Sequence, residues 1–219
     1  MVLIWLEAIG SILKIRSKGT IFFGMRFAPV LQIRNKKGVL RKLGLFCIFA
    51  RMKKRILFVC LGNICRSPAA EGVMRRLIEQ RGLQNEIEVD SAGTYGGHAG
   101  DLPDIRMRTA ARNRGYLLTH RARRIREEDF GRFDRIVVMD DMNYESVHRL
   151  APSLEAANKI YRMTEFCRRH PDRTYVPDPY YEGHEGFELV LDLLEDACEG
   201  LLDDLQAADS VWFRNPIRN

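Results

Sequence analysis

Residues 55–68 read Arg55-Ile56-Leu57-Phe58-Val59-Cys60, then Leu61-Gly62-Asn63-Ile64-Cys65-Arg66, then Ser67-Pro68. The first six residues are a short apolar run of the kind that makes a buried strand. Ser67 suits a helix N-cap and Pro68 the first helical position, so a helix is predicted to open directly behind the loop. A strand that passes through a short Gly-containing loop into a helix start builds an anion site. Successive backbone N–H groups turn inward, and the helix adds the positive end of its dipole. The predicted occupant is a phosphate-like anion.

A cysteine on the first residue of such a loop lies in the same positive field, which favours the nucleophilic thiolate form. Arg66, six residues on, comes round the loop to offer a planar fork to two phosphoryl oxygens, a task a lysine performs poorly. A Cys-x5-Arg spacing also arises by chance, and a cysteine ending a strand is commonly an inert core residue. The thiolate reading of Cys60 gains from the conjunction of strand, Gly, Arg, Ser and helix start in one register.

Working outward, short β-branched runs alternate with amphipathic segments. The predicted strands are Arg55–Cys60, Ile87–Asp90, Arg135–Met139 and Lys159–Met163, and the predicted helices cover about 67–81, 103–114, 143–150 and 186–205. In the last helix Phe187, Val190, Leu191, Leu194, Ala197, Cys198, Leu201 and Leu205 recur at helical spacing. This alternation predicts an α/β three-layer sandwich: a four-stranded parallel sheet, helices on both faces, and the phosphate loop after the first strand. The stretch from Ala207 to Asn219 carries no clear pattern.

With 219 residues and 46% hydrophobic content, the chain can fill one sizeable core. Its net charge of +6 is unevenly spread: residues 1–51 hold ten Lys and Arg against the single acid Glu7, whereas the remainder holds 25 basic and 28 acidic residues. The basic character therefore belongs to an N-terminal extension, and the domain over 52–206 gives no reason to expect nucleic-acid binding. Apolar stretches in that extension, MVLIWL and LGLFCIFA, fall short of the ~20 residues needed to span a bilayer. Glu7 and the lack of a preceding basic residue argue against a signal peptide. The extension is expected to be dispensable, or to arise from the choice of start site, because Met52 opens MKKRILFVC just before the first strand.

Five cysteines, Cys47, Cys60, Cys65, Cys167 and Cys198, are odd in number and scattered, which suits a reducing cytoplasm. They include no Cys-x-x-Cys pair, and the histidines are dispersed, so no metal site and no cofactor are expected.

The run Val59 to Pro68, VCLGNICRSP, resembles the signature of the low-molecular-weight protein tyrosine phosphatases. The resemblance continues in order through Asp90-Ser91-Ala92-Gly93, His120-Arg121-Ala122-Arg123, Phe133-Asp134 to Met139-Asp140, and Val176-Pro177-Asp178-Pro179-Tyr180-Tyr181. It implies a phosphotyrosyl-protein phosphatase, monomeric, with Cys60 as nucleophile, Arg66 and the loop Leu61-Gly62-Asn63-Ile64-Cys65 holding the phosphoryl group, and a phosphocysteine intermediate.

A leaving phenolate needs a proton, and a carboxylic acid over the site would supply it. Asp178, stiffened between two prolines, could do this or could simply form an Asp-Pro turn; the resemblance makes it the general acid. The resemblance also groups Asn63, Ser67, Ser91 and His120 as a network holding the loop. Taken singly they read as a left-handed turn residue, a helix cap, a strand-end turn and an exposed helix-end residue. Cys65 corresponds to a second cysteine that protects the nucleophile through a reversible disulfide, although it could be a small packed thiol. Tyr180 and Tyr181 would wall an aromatic substrate, favouring phosphotyrosine because only the longer ring reaches the deep thiolate. In many relatives an aromatic residue lies near His98 on the opposite wall, where this chain has Tyr95-Gly96-Gly97-His98.

Three alternatives fit less well. An arsenate reductase on the same loop would need a further cysteine pair on a mobile segment, and only the separated Cys167 and Cys198 are available. Relatives acting on phosphoarginine typically carry Thr where Ile64 stands. A phosphate-binding pseudophosphatase would normally have lost Cys60, Arg66 or Asp178.

Overall fold

Ile56, Leu57, Phe58 and Val59 are wholly buried, and they belong to strand β1 (Lys54–Cys60). A strand buried on both faces must have helices above and below it. The computed structural model describes residues 53–214, with side chains to Ala207, and, upstream, two short antiparallel pairs: Glu7–Ala8 with Ser11–Ile12, and Gln32–Arg34 with Leu40–Lys42. The chain divides into two units, Met1–Ala50 and Arg51–Asn219. The expectation that residues 1–51 are dispensable lies outside the described residues.

From β1 the chain runs through α1 (Arg66–Gln80), β2 (Ile87–Gly93), α2 (Ile105–Asn113), α3 (Glu128–Arg132), β3 (Arg135–Val138), α4 (Asp141–Leu150), α5 (Leu154–Ala157) and β4 (Ile160–Arg162). Short 3-10 turns at Met163–Phe166 and Pro179–Tyr181 precede the long α6 (His184–Arg214). The four strands pair in the order β2-β1-β3-β4, all parallel. This is the α/β three-layer sandwich expected from the sequence.

Alternation along β1 divides the core. Ile56, Phe58 and Cys60 pack with α1, α2 and α6, including Val73, Met107, Phe187, Leu191 and Leu194. Leu57 and Val59 pack on the other face with Phe130, Phe133 and Val147. All eight apolar positions named for α6 are buried.

Several boundaries differ from the sequence reading. β2 continues to Gly93 because its last residues pair fully with β1, up to Cys60 opposite Gly93. α3 and α5 escape periodicity because each is about one turn long. α6 runs on through Ala207, to which no pattern was assigned, as far as Arg214. Ser67 is not the cap of α1. The helix opens one residue earlier, at Arg66 behind Cys65, with no side-chain cap, and the Ser67 hydroxyl turns toward the loop instead.

The topology fixes where a site can form. β1 lies between β2 and β3, so the connections leaving β1 and β3 part to opposite faces, and a crevice opens beyond their carboxyl ends. The loop at 61–65 and Asp140 lie there.

Candidate active site

The loop from Cys60 to Arg66 curls over the end of β1. Asn63 takes a left-handed conformation, with φ of 57°, which asparagine tolerates better than most residues. That twist brings the Asn63 backbone N–H to 3.3 Å from the Cys60 sulfur. Ser67 Oγ stands 3.1 Å from the same sulfur. Nδ2 of Asn63 donates to Ser67 Oγ at 2.9 Å and to Ser91 Oγ at 3.0 Å. The Ser67 proton is thereby left to face the sulfur or the Ala92 carbonyl, 3.2 Å away.

The remaining Asn63 atom, Oδ1, accepts from the Arg123 backbone N–H at 2.9 Å and lies 3.2 Å from His120 Nε2. Behind it, Ser91 Oγ donates to Glu71 Oε2 at 2.6 Å, and His120 Nδ1 lies 3.1 Å from that same oxygen. The four expected network residues are thus brought together. Three of the single-residue readings fall: Ser67 caps no helix, Ser91 is buried within β2, and His120 lies on no helix and is only partly exposed.

Glu71 was missed from the sequence. It is a buried acid whose other oxygen accepts from Arg75 at 2.6 Å and 2.9 Å. Its signal is positional: it stands one turn and a half into α1, on the same helix as Arg66 and Ser67. Glu71, Asp90 and His120 offer three potential metal-ligand atoms within 4.8 Å of one another, a grouping hidden by their distance in sequence. Each carboxylate is already engaged, Glu71 as described and Asp90 with Arg123 and the Ser91 N–H.

Gly93 fits the strand to the loop. A Cβ there would lie 2.6 Å from the Leu61 carbonyl oxygen and 3.0 Å from the Asn63 nitrogen. Thr94 and Tyr95 then donate their N–H groups to the Cys60 and Leu61 carbonyls, both at 2.9 Å. The loop's far side is tied to α2 by the Asp104 N–H donating to Ile64 O at 2.8 Å.

Arg66 is 3% exposed. Nη1 reaches Asp140 Oδ2 at 2.5 Å and the Val176 carbonyl at 3.2 Å, while Nη2 reaches Asp178 Oδ2 at 2.7 Å. Burial works against the Arg66 charge, but Cys60, Asp178 and Asp140 outweigh it and raise the guanidinium's pKa above its ordinary value. In sequence Asp140 stood only at the end of a stretch that resembles the family; here it also caps α4 by accepting from the Asn143 N–H at 2.7 Å.

Asp178 forms the turn that one of its two readings expected, and it lies at the same cavity as Cys60. Its Oδ1 caps the Pro179–Tyr181 turn through the Tyr180 N–H at 3.2 Å, and its Oδ2 faces Arg66. Cys60, Arg66 and Asp178 line one cavity of about 240 Å³. Tyr180 and Tyr181 line it as well, as do Tyr95 and His98, which are in edge-to-face contact. Tyr181 is 94% exposed, so its part in the wall is at the rim. A larger polar cavity, about 480 Å³, opens near Arg75, Glu88 and Arg132 at the β2 edge, and no cysteine lines it.

Cys65 is buried and carries no disulfide; burial pushes its thiol pKa far up, and Asp104, Cys60 and Asp178 add to the effect. No helix among the described residues is long and apolar enough to cross a membrane.

Cys60 and Arg66 thus frame a loop at the sheet's switch point, with the Asn63 N–H turned toward the sulfur. The model of the family "Low molecular weight phosphotyrosine protein phosphatase" matches residues 55–211. A Synechocystis protein whose name places it among the low molecular weight protein-tyrosine-phosphatases is 49% identical, covering 69% of this chain and 96% of that one. The human low molecular weight phosphotyrosine protein phosphatase is 36% identical, covering 68% and 94%. The crystal structure of a protein tyrosine phosphatase from Entamoeba histolytica, with Hepes in its active site, superposes with a TM-score of 0.69 at 44% identity, covering 72% of this chain and 99% of that chain. The chain belongs to the low-molecular-weight phosphotyrosine protein phosphatase family.

Proposed function

We propose that this protein hydrolyses phosphotyrosine on protein substrates through a phosphocysteine intermediate formed on Cys60. The observation that carries the reading is the convergence on one cavity of a cysteine sulfur facing loop donors, a buried guanidinium and a proline-flanked carboxyl.

Cys60 attacks phosphorus, breaking the bond to the phenolic oxygen. Arg66 and the loop N–H groups carry the charge on the phosphoryl oxygens, and Asp178 gives its proton to the departing phenolate. Water then attacks the phosphocysteine with Asp178 accepting its proton, which returns Cys60 as thiolate and releases phosphate. No metal is assigned a role, because the guanidinium and amides supply positive charge where other phosphoryl-transfer enzymes use Mg²⁺.

Asn63, Ser67, Ser91 and His120 would hold the loop in shape, and Cys65 would serve as the partner of Cys60 under oxidation. Tyr180 and Tyr181 would guide an aromatic ring into the cavity. A monomer is expected, and the free thiols among the described cysteines suit the cytoplasm.

The test is hydrolysis of p-nitrophenyl phosphate and of a phosphotyrosyl peptide without added metal. Cys60→Ser is expected to abolish turnover nearly completely, and Asp178→Ala to lower it by roughly 10²–10⁴-fold. Turnover that survives Cys60→Ser, or that requires Mg²⁺, overturns the mechanism.

A further inference from the structure

A second depression lies beside the Cys60 cavity, and the phosphate chemistry makes no use of it. It opens between the first turns of α2 and α6, encloses about 300 Å³, and is walled almost wholly by apolar surface. Buried Ala110 and Phe187 line it together with Gly183 and the exposed Ile105 and Thr109. Ile105 is 67% exposed, and Leu102 just upstream is exposed as well. Single exposed aliphatic residues are ordinary on a protein surface. Ile105, however, borders a concave apolar wall, a combination that marks binding surfaces.

Arg106 stands between the depression and the cavity. The Arg106 guanidinium lies 5.4 Å from the centre of the Tyr180 ring, which lines the cavity, and 4.9 Å from the centre of the Phe187 ring, which lines the depression. Asp104 fixes this partition with bonds of 2.8 Å and 3.1 Å to Arg106, and the Asp104 N–H is itself bound to Ile64 of the loop. Asp104 takes up the Arg106 charge, and the other charged or titratable residues at the groove are Glu182 and His184, the latter 3.6 Å from Glu188. The two rings are thus no more than roughly 10 Å apart, a span that about three residues of extended chain cover at about 3.3–3.6 Å each.

We infer that this groove receives an apolar side chain of the phosphotyrosyl substrate itself, about three residues from the phosphotyrosine. The inference rests on the phosphotyrosine reading above. A polypeptide whose tyrosine enters the Cys60 cavity must leave over its rim, and on the Tyr180 side the next surface it meets is this one. The volume lies at the small end of ligand pockets, which span about 300–1,000 Å³, and so suits one side chain better than a cofactor. Binding energy won there, remote from phosphorus, would appear in kcat/KM for peptides and be missing for small aryl phosphates.

The experiment uses the full chain, p-nitrophenyl phosphate, and phosphotyrosyl peptides of alanine in which one leucine is moved through the four positions on either side of the phosphotyrosine. We expect kcat/KM to rise about tenfold when leucine stands about three residues away on one side, the scale of selectivity an apolar pocket supplies. Ile105→Asp and Thr109→Arg, both at exposed positions, are expected to remove that rise while leaving p-nitrophenyl phosphate turnover within about twofold. A flat leucine profile, a preference untouched by both variants, or an equal rise with aspartate at that position overturns the groove. In each of those cases hydrolysis of the all-alanine phosphopeptide leaves the phosphatase reading standing. Absence of hydrolysis of every phosphotyrosyl peptide, with p-nitrophenyl phosphate still turned over, overturns both.

Discussion

Nη1 of Arg66 lies 2.5 Å from Oδ2 of Asp140, joining the first residue of α1 to the residue that caps α4. The contact aims the guanidinium from behind while leaving its other nitrogen toward Asp178. Asp140→Asn keeps a capping oxygen but loses the charge, and Asp140→Ala loses both. Both variants are expected to lower kcat/KM by about 10- to 100-fold through misplacement of Arg66. Only the alanine variant should also lose about 1 kcal/mol in urea unfolding, the usual worth of a cap. An asparagine variant with unchanged kcat/KM would refute the aiming role.

Gly93 makes a separate prediction. A methyl group there would press on the Leu61 carbonyl and the Asn63 nitrogen, both backbone atoms with little room to yield. Gly93→Ala is expected to cost about 1–3 kcal/mol of stability through overpacking and to reduce p-nitrophenyl phosphate turnover about 100-fold by deforming the loop. Thermal unfolding and steady-state rates measured on the same sample separate the two effects. Full activity in the variant would mean that the loop's shape is not set from β2.

The thiols should differ sharply in reactivity. Burial pushes Cys65 and Cys198 far up and Cys167 to about 11. A thiol raised in this way stays protonated at neutral pH, and the thiolate is the form that alkylates. Limiting iodoacetamide at pH 7 is therefore expected to label Cys60 first among the described cysteines, with loss of turnover in step, as read by peptide mass spectrometry. Raising the pH from 7 through 11 should bring in Cys167 before Cys65 or Cys198. Equal labelling of Cys65 and Cys60 at pH 7 would contradict this order. Peroxide inactivation that dithiothreitol reverses in the parent chain but not in Cys65→Ala would support the protective disulfide.

For the N-terminal segment we expect a chain beginning at Met52 to keep kcat/KM within about twofold and to unfold cooperatively at the same temperature. The family match begins at residue 55, and every group proposed for the chemistry lies beyond it. Loss of folding or turnover on truncation would show that residues 1–51 contribute to the domain.

The strand, loop and Arg66 were legible in sequence because they are contiguous: local pattern and local geometry coincide between residues 55 and 68. Asp178 drew two readings, acid or turn, from its flanking prolines, whereas Ser91 and His120 were grouped with the loop only through resemblance. Glu71 and Asp140 escaped assignment because their roles come from partners distant in the chain, such as Ser91 and Arg66. Ser67 was placed near the helix start, but its own pattern gave it the part of a cap. Propensity recognises a capping serine, yet tertiary packing turned this hydroxyl toward Asn63 and Cys60. The short α3 and α5 carry too few residues for a period to show.

Arg66, Ser67 and Glu71 all stand on the first two turns of α1, a helix whose opening residues are buried almost without exception. The Arg66 guanidinium, the hydroxyl beside the sulfur and the acid behind Ser91 are therefore carried by one helix. If that shared helix keeps the three groups in register, an anion arriving at this loop is expected to bind with little conformational penalty from this half of the site. Any gating of turnover would have to come from the Asp178–Tyr181 side, where Tyr181 is exposed and the contact with Arg66 is a single ion pair.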